Sequence, residues 1–191
     1  MSAFSRHPQA IIDEGASIGK GTRVWAFAHI LSGAIIGEEC NICDHTFIEG
    51  GVRVGNRVTI KCGVFLWEGI VVEDDVFIGP NAVFTNDDRP RSGNHLKEYL
   101  KTVLKQGASI GANSTTLPNV TIGRWAMVGA GAVVTHNVPD HGLVLGNPAR
   151  LNGWVCRCGK KLRAAFGSRL VCSCGRSYDQ IADNEVKETG I

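Results

Sequence analysis

An all-β solenoid of short parallel strands is predicted, and three observations predict it. Aliphatic residues recur at every sixth position along most of the chain, small or β-branched residues follow each of them at a fixed offset, and glycine, asparagine and aspartate mark the intervals between. The 191 residues include 24 glycines, and 43% of them are hydrophobic. That pairing points to enforced turns in a packed fold, not to a collagen-like or disordered chain.

The aliphatic series opens as Ile12, Ile18, Val24, Ile30, Ile36, Ile42, Ile48, Val54, Ile60, Leu66, Val72 and Ile78. It resumes as Leu104, Ile110, Thr116, Ile122, Val128 and Val134, with Thr116 the one departure from aliphatic character. A helix turns about 100° per residue, so every sixth side chain would land about 240° onward and no apolar stripe would form. Six is a multiple of the strand period of two, so short strands keep the whole series on one face. Four residues after each aliphatic stands a small or β-branched residue of the same inward parity, such as Ala28, Ala34, Thr46, Val64 and Ala126. Three residues after it, 13 of 18 positions are Gly, Asn or Asp, the types that tolerate positive φ at a tight corner. Each hexapeptide is therefore a short strand plus a turn.

The period fails twice. Between Phe84 and Leu104 the register slips by two after three notional repeats, across the polar segment TNDDRPRSGNHLKEYLKTV. A long excursion from a regular solenoid more often serves a function than not, the plain alternative being a solvated loop. After Arg150 the period vanishes, and WVCRCGKKLRAAFGSRLVCSCGRSY carries Cys156, Cys158, Cys172 and Cys174. The expected organisation is a solenoid over residues 1–150, with a loop at 85–103, and a cysteine-rich tail over 151–191.

Lys and Arg number 20 against 18 Asp and Glu, which gives no electrostatic case for nucleic acid or an anionic membrane. No apolar run approaches the ~20 residues of a membrane span. The opening MSAFSRHPQA carries no apolar signal region, so a reducing cytoplasm is expected.

From about residue 12 to 139 the pattern resembles the hexapeptide-repeat acyltransferases. The resemblance implies a left-handed parallel β-helix in which three hexapeptides make one 18-residue coil, a homotrimer with clefts between subunits, and acetyl-CoA as cosubstrate. Handedness rests on the resemblance, because crossovers between parallel strands are ordinarily right-handed. Residues 40–92, with their IKCGV, DDVFIGPN, FTND and PR elements, resemble more narrowly the N-acetyltransferases that modify the 3-amino group of nucleotide-linked sugars. The favoured substrate is a UDP-linked 2-acetamido-3-amino-2,3-dideoxyuronic acid, used in lipopolysaccharide or O-antigen biosynthesis. One alternative is a dTDP-3-amino-3,6-dideoxyhexose. Another is a non-catalytic β-helical scaffold, which would have no need of the loop.

Acetyl transfer to an amine requires a neutral nitrogen in line with the thioester carbonyl, donors for the developing oxyanion and a final proton acceptor. Asn86, where coil gives way to loop, has an amide oxygen able to accept a hydrogen bond from the sugar amine; the same residue type also forms turns. His45 is a candidate base at a corner position, and a surface histidine is the other reading, since the thiolate leaving group of CoA can itself take the proton. Glu49 follows the inward Ile48 and is expected to face the cleft with His45. Trp67 and Glu68, beside Leu66, are expected to border the sugar pocket, the other reading of Trp67 being burial in the trimer interface. Arg89 and Arg91, flanking Pro90, are suited to a diphosphate or a sugar carboxylate, or remain solvated. His29 lies close to one coil before His45, but His136 and His141 follow the last clear strand and do not complete a zinc site of the β-helical carbonic anhydrase kind.

The resemblance assigns the acetyl-CoA groove to the later coils. There Ala112, Gly129, Ala130 and Gly131 permit close approach of the pantetheine arm, and Arg124 or Arg150 meets the phosphates; the two glycines are also ordinary repeat residues. In the tail, two C-x-C-G pairs 13 residues apart resemble a small zinc ribbon, with four thiolates suited to tetrahedral Zn²⁺. Ribbon knuckles usually read C-x-x-C-G, so each pair is one residue short, and structural zinc and free thiols both stay open. Cys40 is inward and inert, and Cys43 and Cys62 have no metal spacing.

Overall fold

The computed structural model describes residues 4–94, 96 and 98–190. Strands of mostly two residues stack in parallel on three faces, and among the described residues there is no helix. The first face begins with Ser5–Arg6 and Arg23–Val24 and runs to Met127–Val128 and Gly142–Leu145. The third runs from Ser17–Ile18 to Thr121–Ile122. The second face is broken. Ile11–Ile12, His29–Ile30, Phe47–Ile48 and Phe65–Leu66 form one sheet, and Val83–Phe84, Thr115–Thr116 and Val133–Val134 form another. Register follows the 18-residue coil, so Ile12 lies opposite Ile30, Ile30 opposite Ile48, and Ile48 opposite Leu66. This parallel β-solenoid is consistent with the left-handed β-helix expected.

The hydrophobic period explains the core. Ile30, Ile48, Leu66, Ile60 and Ile78 are fully buried, as are their small partners Ala28, Ala34 and Val64. From Gly15 to Gly131 every corner three residues after an inward aliphatic has positive φ. Phe27 (59°), Arg57 (56°) and Trp125 (56°) adopt it as Gly15 and Asn81 do. A left-handed residue with a Cβ costs roughly 1–2 kcal/mol, so the ladders on either side impose the corner whatever residue stands there.

Three features depart from the sequence period. Ser5–Arg6 pairs with Arg23–Val24 before the repeats become legible. Gly142–Leu145 continues the first face after Met127–Val128, so the solenoid runs past Val134, and His141 is a buried corner before a further strand and does not lie beyond the last one. The excursion after Phe84 is also more than a slip of two. Leu104 lies opposite Val72, thirty-two residues back instead of eighteen, so the chain leaves the coil after Phe84 on the second face and rejoins it at Thr102 on the third. Thr116, the break in the aliphatic series, lies opposite the fully buried Phe84, where a smaller side chain accommodates the ring.

Beyond the solenoid, Arg150–Trp154 folds back antiparallel on Gly142–Leu145. Arg163–Ala164, Arg169–Val171, Ser177–Ala182 and Glu185–Gly190 then form a four-stranded antiparallel sheet. Its core is a second cluster of Trp154, Cys156, Leu162, Leu170, Cys172, Tyr178 and Val186, separate from that of the solenoid.

Candidate functional site

The break in the second face lies where the loop departs. With Phe65–Leu66 and Val83–Phe84 in different sheets, side chains take over the backbone groups of Glu68. Glu49 Oε2 accepts a hydrogen bond from the Glu68 amide at 2.7 Å, and Asn86 Nδ2 donates to the Glu68 carbonyl at 3.1 Å. A carbonyl only accepts, so this contact fixes the Asn86 amide with its nitrogen inward and turns Oδ1 away from Glu68 O. The loop returns alongside. The Leu100 amide donates to Asn86 O at 3.3 Å and the Thr102 amide to Gly69 O at 3.1 Å. Gly69, at φ 93°, is required here, since a Cβ would lie 2.8 Å from the Leu100 carbonyl oxygen.

Beside these bonds opens a cavity of about 420 Å³ lined by Gly51, Arg53, Glu68, Gly69, Val71, Glu98, Tyr99 and Lys101. Two cations, two carboxylates and a phenol suit a polar ligand that carries both acceptors and donors. Glu49 and Asn86 are thus brought together through Glu68. Arg53, Tyr99 and Lys101 were missed by sequence reasoning, Arg53 because it occupies an ordinary outward repeat position and the other two because the loop has no period to align them.

The other expected residues lie elsewhere. His45 is an exposed corner residue at φ 56°, its ring 4.9 Å from that of Phe27. It precedes the second face while Asn86 follows it, so one chain does not bring the two together. His29 is on the face itself, 3.3 Å from Asp13 and edge-on to Phe47, and it is Phe47 that shares its rung. Trp67 is half-buried and packs on Phe47 at 5.5 Å and Phe65 at 6.0 Å. Arg89 and Arg91 are exposed in the loop, the first 3.8 Å from Asp88 and the second bonded to the Pro90 carbonyl, and neither lines the cavity.

In the later coils Ala130 is exposed and Ala112 half-buried. A Cβ on Gly129 would fall within the Leu145 side chain, so close packing already accounts for that glycine. Arg124 is exposed, its amide held by Asp140 Oδ1 at 2.7 Å. Arg150 lines a second cavity of about 300 Å³ with Val134, His136, Asn137 and Leu151 among others. Burial pushes the thiols of Cys40 and Cys43 up, which keeps them protonated and agrees with an inert Cys40.

The tail cysteines converge. All four Sγ atoms lie within 4.8 Å of one another, with Cys156 facing Cys174 and Cys158 facing Cys172 at 3.5 Å each.

The site is thus a polar cavity flanked by the loop on a stack of hexapeptide coils. The family described as bacterial transferase hexapeptide (six repeats) matches residues 15–50 and 101–136. Over 182 residues the chain is 52% identical to the dTDP-3-amino-3,6-dideoxy-alpha-D-galactopyranose 3-N-acetyltransferase of Aneurinibacillus thermoaerophilus, covering 95% of this chain and 93% of that enzyme. The chain belongs to the hexapeptide-repeat acetyltransferases, which take their acyl group from coenzyme A. Among solved structures it is similar to a mutant of AntD, an N-acyltransferase from Bacillus cereus, in complex with dTDP and coenzyme A, with 25% identity, a TM-score of 0.53, and 81% of this chain and 84% of that one covered. A hexapeptide-repeat acetyltransferase from Vibrio cholerae O1 biovar eltor, complexed with acetyl coenzyme A, shares 28% identity with a TM-score of 0.56, over 64% of this chain and 70% of the other.

Proposed function

We propose that this chain transfers acetyl from acetyl-CoA to the 3-amino group of a dTDP-linked 3-amino-3,6-dideoxyhexose. The observation that carries the reading is the 52% identity to an enzyme of that description across 95% of the chain. It favours the dTDP-linked sugar, the alternative in the sequence reading, over the UDP-linked uronic acid. The product is a building block for surface polysaccharides such as lipopolysaccharide O-antigen, and the need for acetyl-CoA and a nucleotide sugar suits the cytoplasm.

In this reading Asn86 is the positioning group. Its Nδ2 is committed to the Glu68 carbonyl, so Oδ1 is the atom left to accept from the sugar amine and aim the nitrogen lone pair at the thioester carbonyl. Glu49 supports it by fixing the Glu68 amide. The amine attacks the carbonyl, the C–S bond breaks, and the departing thiolate takes the amine proton. No protein base is needed within one chain, in keeping with the placement of His45. Arg53 and Lys101 are suited to the diphosphate, and Ala112, Ala130, Arg124 and Arg150 to coenzyme A.

A homotrimer fits the exposed apolar strip on the second face, where Ile11, Phe65 and Val83 are 55%, 47% and 48% exposed. Arg89 and Arg91 would then reach a neighbouring subunit's pocket. Coenzyme A release with a panel of dTDP- and UDP-linked 3-amino sugars tests the reading. Preferred turnover of a dTDP-3-amino-3,6-dideoxyhexose is expected. Preference for a UDP-linked uronic acid would overturn the substrate assignment, and no release with any amino sugar would favour a scaffold. Sedimentation analysis tests the trimer.

A further inference from the structure

Two short turns in the tail repeat one another residue for residue. In Cys156-Arg157-Cys158-Gly159-Lys160 the Gly159 amide donates to the Cys156 carbonyl at 2.8 Å and the Cys156 amide to the Lys160 carbonyl at 2.9 Å. In Cys172-Ser173-Cys174-Gly175-Arg176 the equivalent bonds, Gly175 to Cys172 and Cys172 to Arg176, measure 3.0 and 2.9 Å. Both glycines have positive φ, 84° and 98°. In each turn the first cysteine is buried and the second exposed. The turns therefore face each other as a crossed pair, the buried thiol of one against the exposed thiol of the other.

Three further observations point to what sits between them. Four thiolates at the ~2.3 Å bond length of zinc lie ~3.8 Å apart along each edge of the tetrahedron, and here all four sulfurs lie within 4.8 Å of one another with two separations of 3.5 Å. Donors and cations surround the cluster. Tyr178 Oη donates to Cys156 Sγ at 3.3 Å and Arg176 Nη1 to Cys174 Sγ at 3.5 Å, while Arg157 and Arg176 share Glu188. Such partners orient and offset the charge of metal-bound thiolates. The module is also too small to hold itself together by apolar packing, because its core is seven residues of which two are the cysteines, and chains below about 40 residues usually need a metal, disulfides or a partner.

We propose that Cys156, Cys158, Cys172 and Cys174 bind one structural Zn²⁺ as four thiolates, each thiol releasing its proton on binding. The C-x-C spacing, one residue short of the usual knuckle, works because the two turns cross. The site also clamps the tail to the solenoid. The Arg157 guanidinium, between two of the ligands, lies 4.6 Å over the Trp125 ring, and Tyr178, bonded to Cys156, packs edge-on against His141 at 5.0 Å. This inference is independent of the substrate assigned above.

Elemental analysis of the full chain, purified without chelator, should find one zinc per chain. Exchange into Co²⁺ should give the visible absorption of tetrahedral cobalt thiolate. Cys158→Ser and Cys174→Ser, at exposed positions, should each lower zinc content several-fold, while Cys62→Ser retains it. Stripping zinc should open residues 155–190 to protease and leave the solenoid resistant. Purification of the chain without zinc and with four free tail thiols would overturn the proposal. So would an intact mass lower by the four hydrogens of two disulfides, or iron in place of zinc.

Discussion

In the solenoid, Ile12, Ile30, Ile48 and Leu66 stack along one inner face, each on a near copy of itself, and the same is true of the other two faces. In the tail, Trp154, Leu162, Leu170, Tyr178 and Val186 close around Cys156 and Cys172 with no such repetition. One region spreads its stability over many equivalent contacts between neighbouring coils, while the other concentrates it at one centre. The loop-flanked cavity belongs to the first region, where rigid coils fix Glu49 and Glu68. The second stands apart from that cavity, against Trp125 and His141.

The strongest way to break this contrast is to attack the solenoid core. Leu66→Ala, at a fully buried position, should destabilise the chain by about 2–5 kcal/mol in denaturant unfolding. Leu170→Ala in the tail should leave the main unfolding transition in place and alter only the protease sensitivity of the C-terminal segment. Coincident loss of both regions in either variant would mean that the two cores form one cooperative unit.

The site gives a sharper division. Asn86→Ala should lower turnover about 100-fold, since small misplacements of a reacting group can carry that penalty, with zinc content unchanged. Cys174→Ser should do the reverse. A fully active Asn86→Ala enzyme would remove Asn86 from the site.

The junction between the regions is predicted to respond to acid. Burial holds the His141 imidazole below its ordinary pKa, against the opposing pull of its bond to the Val155 carbonyl and of Asp140 and Glu188, and with Arg157 reinforcing the depression. The unfolded chain therefore binds a proton more readily than the folded one. Stability is fully present above about pH 6.5 and declines as the pH falls towards the folded-state pKa. His141→Asn, which tolerates the positive φ of that corner, should flatten this dependence in thermal melts at pH 5.5 to 7.5.

The smallest effect is expected at Arg57, which bonds Asp75 at 2.7 Å and Asp74 at 3.4 Å on the surface and holds the Asp75 carboxyl below its usual range. Arg57→Asn loses these exposed, salt-screened pairs while relieving a left-handed arginine. Melts at low and high salt should barely differ from the parent, and activity should not change.

Much of this was legible from spacing alone. The inward aliphatics, their small partners and the corners follow from a period of six, because each coil makes the same contacts as the one before. Asn86 stood out as the residue at which that period stops. Arg53, Tyr99 and Lys101 did not, since an outward arginine in a repeat looks like any other and the loop carries no pattern to say which of its residues return to the coil. The strand Gly142–Leu145 was hidden for a similar reason. Val144 lies opposite Val128 at sixteen residues instead of eighteen, out of step with the repeat.

By itself, then, the sequence determined the β-solenoid, the inward faces and the place of the loop, because these depend on local alternation and on repetition between neighbours in the chain. Only the tertiary structure decided that the second face splits beside Asn86, that Glu49 and Asn86 meet on the backbone of Glu68, and that the four tail thiols cross into one cluster. Those arrangements join segments with no common period, and their geometry is set by how the backbone turns in space.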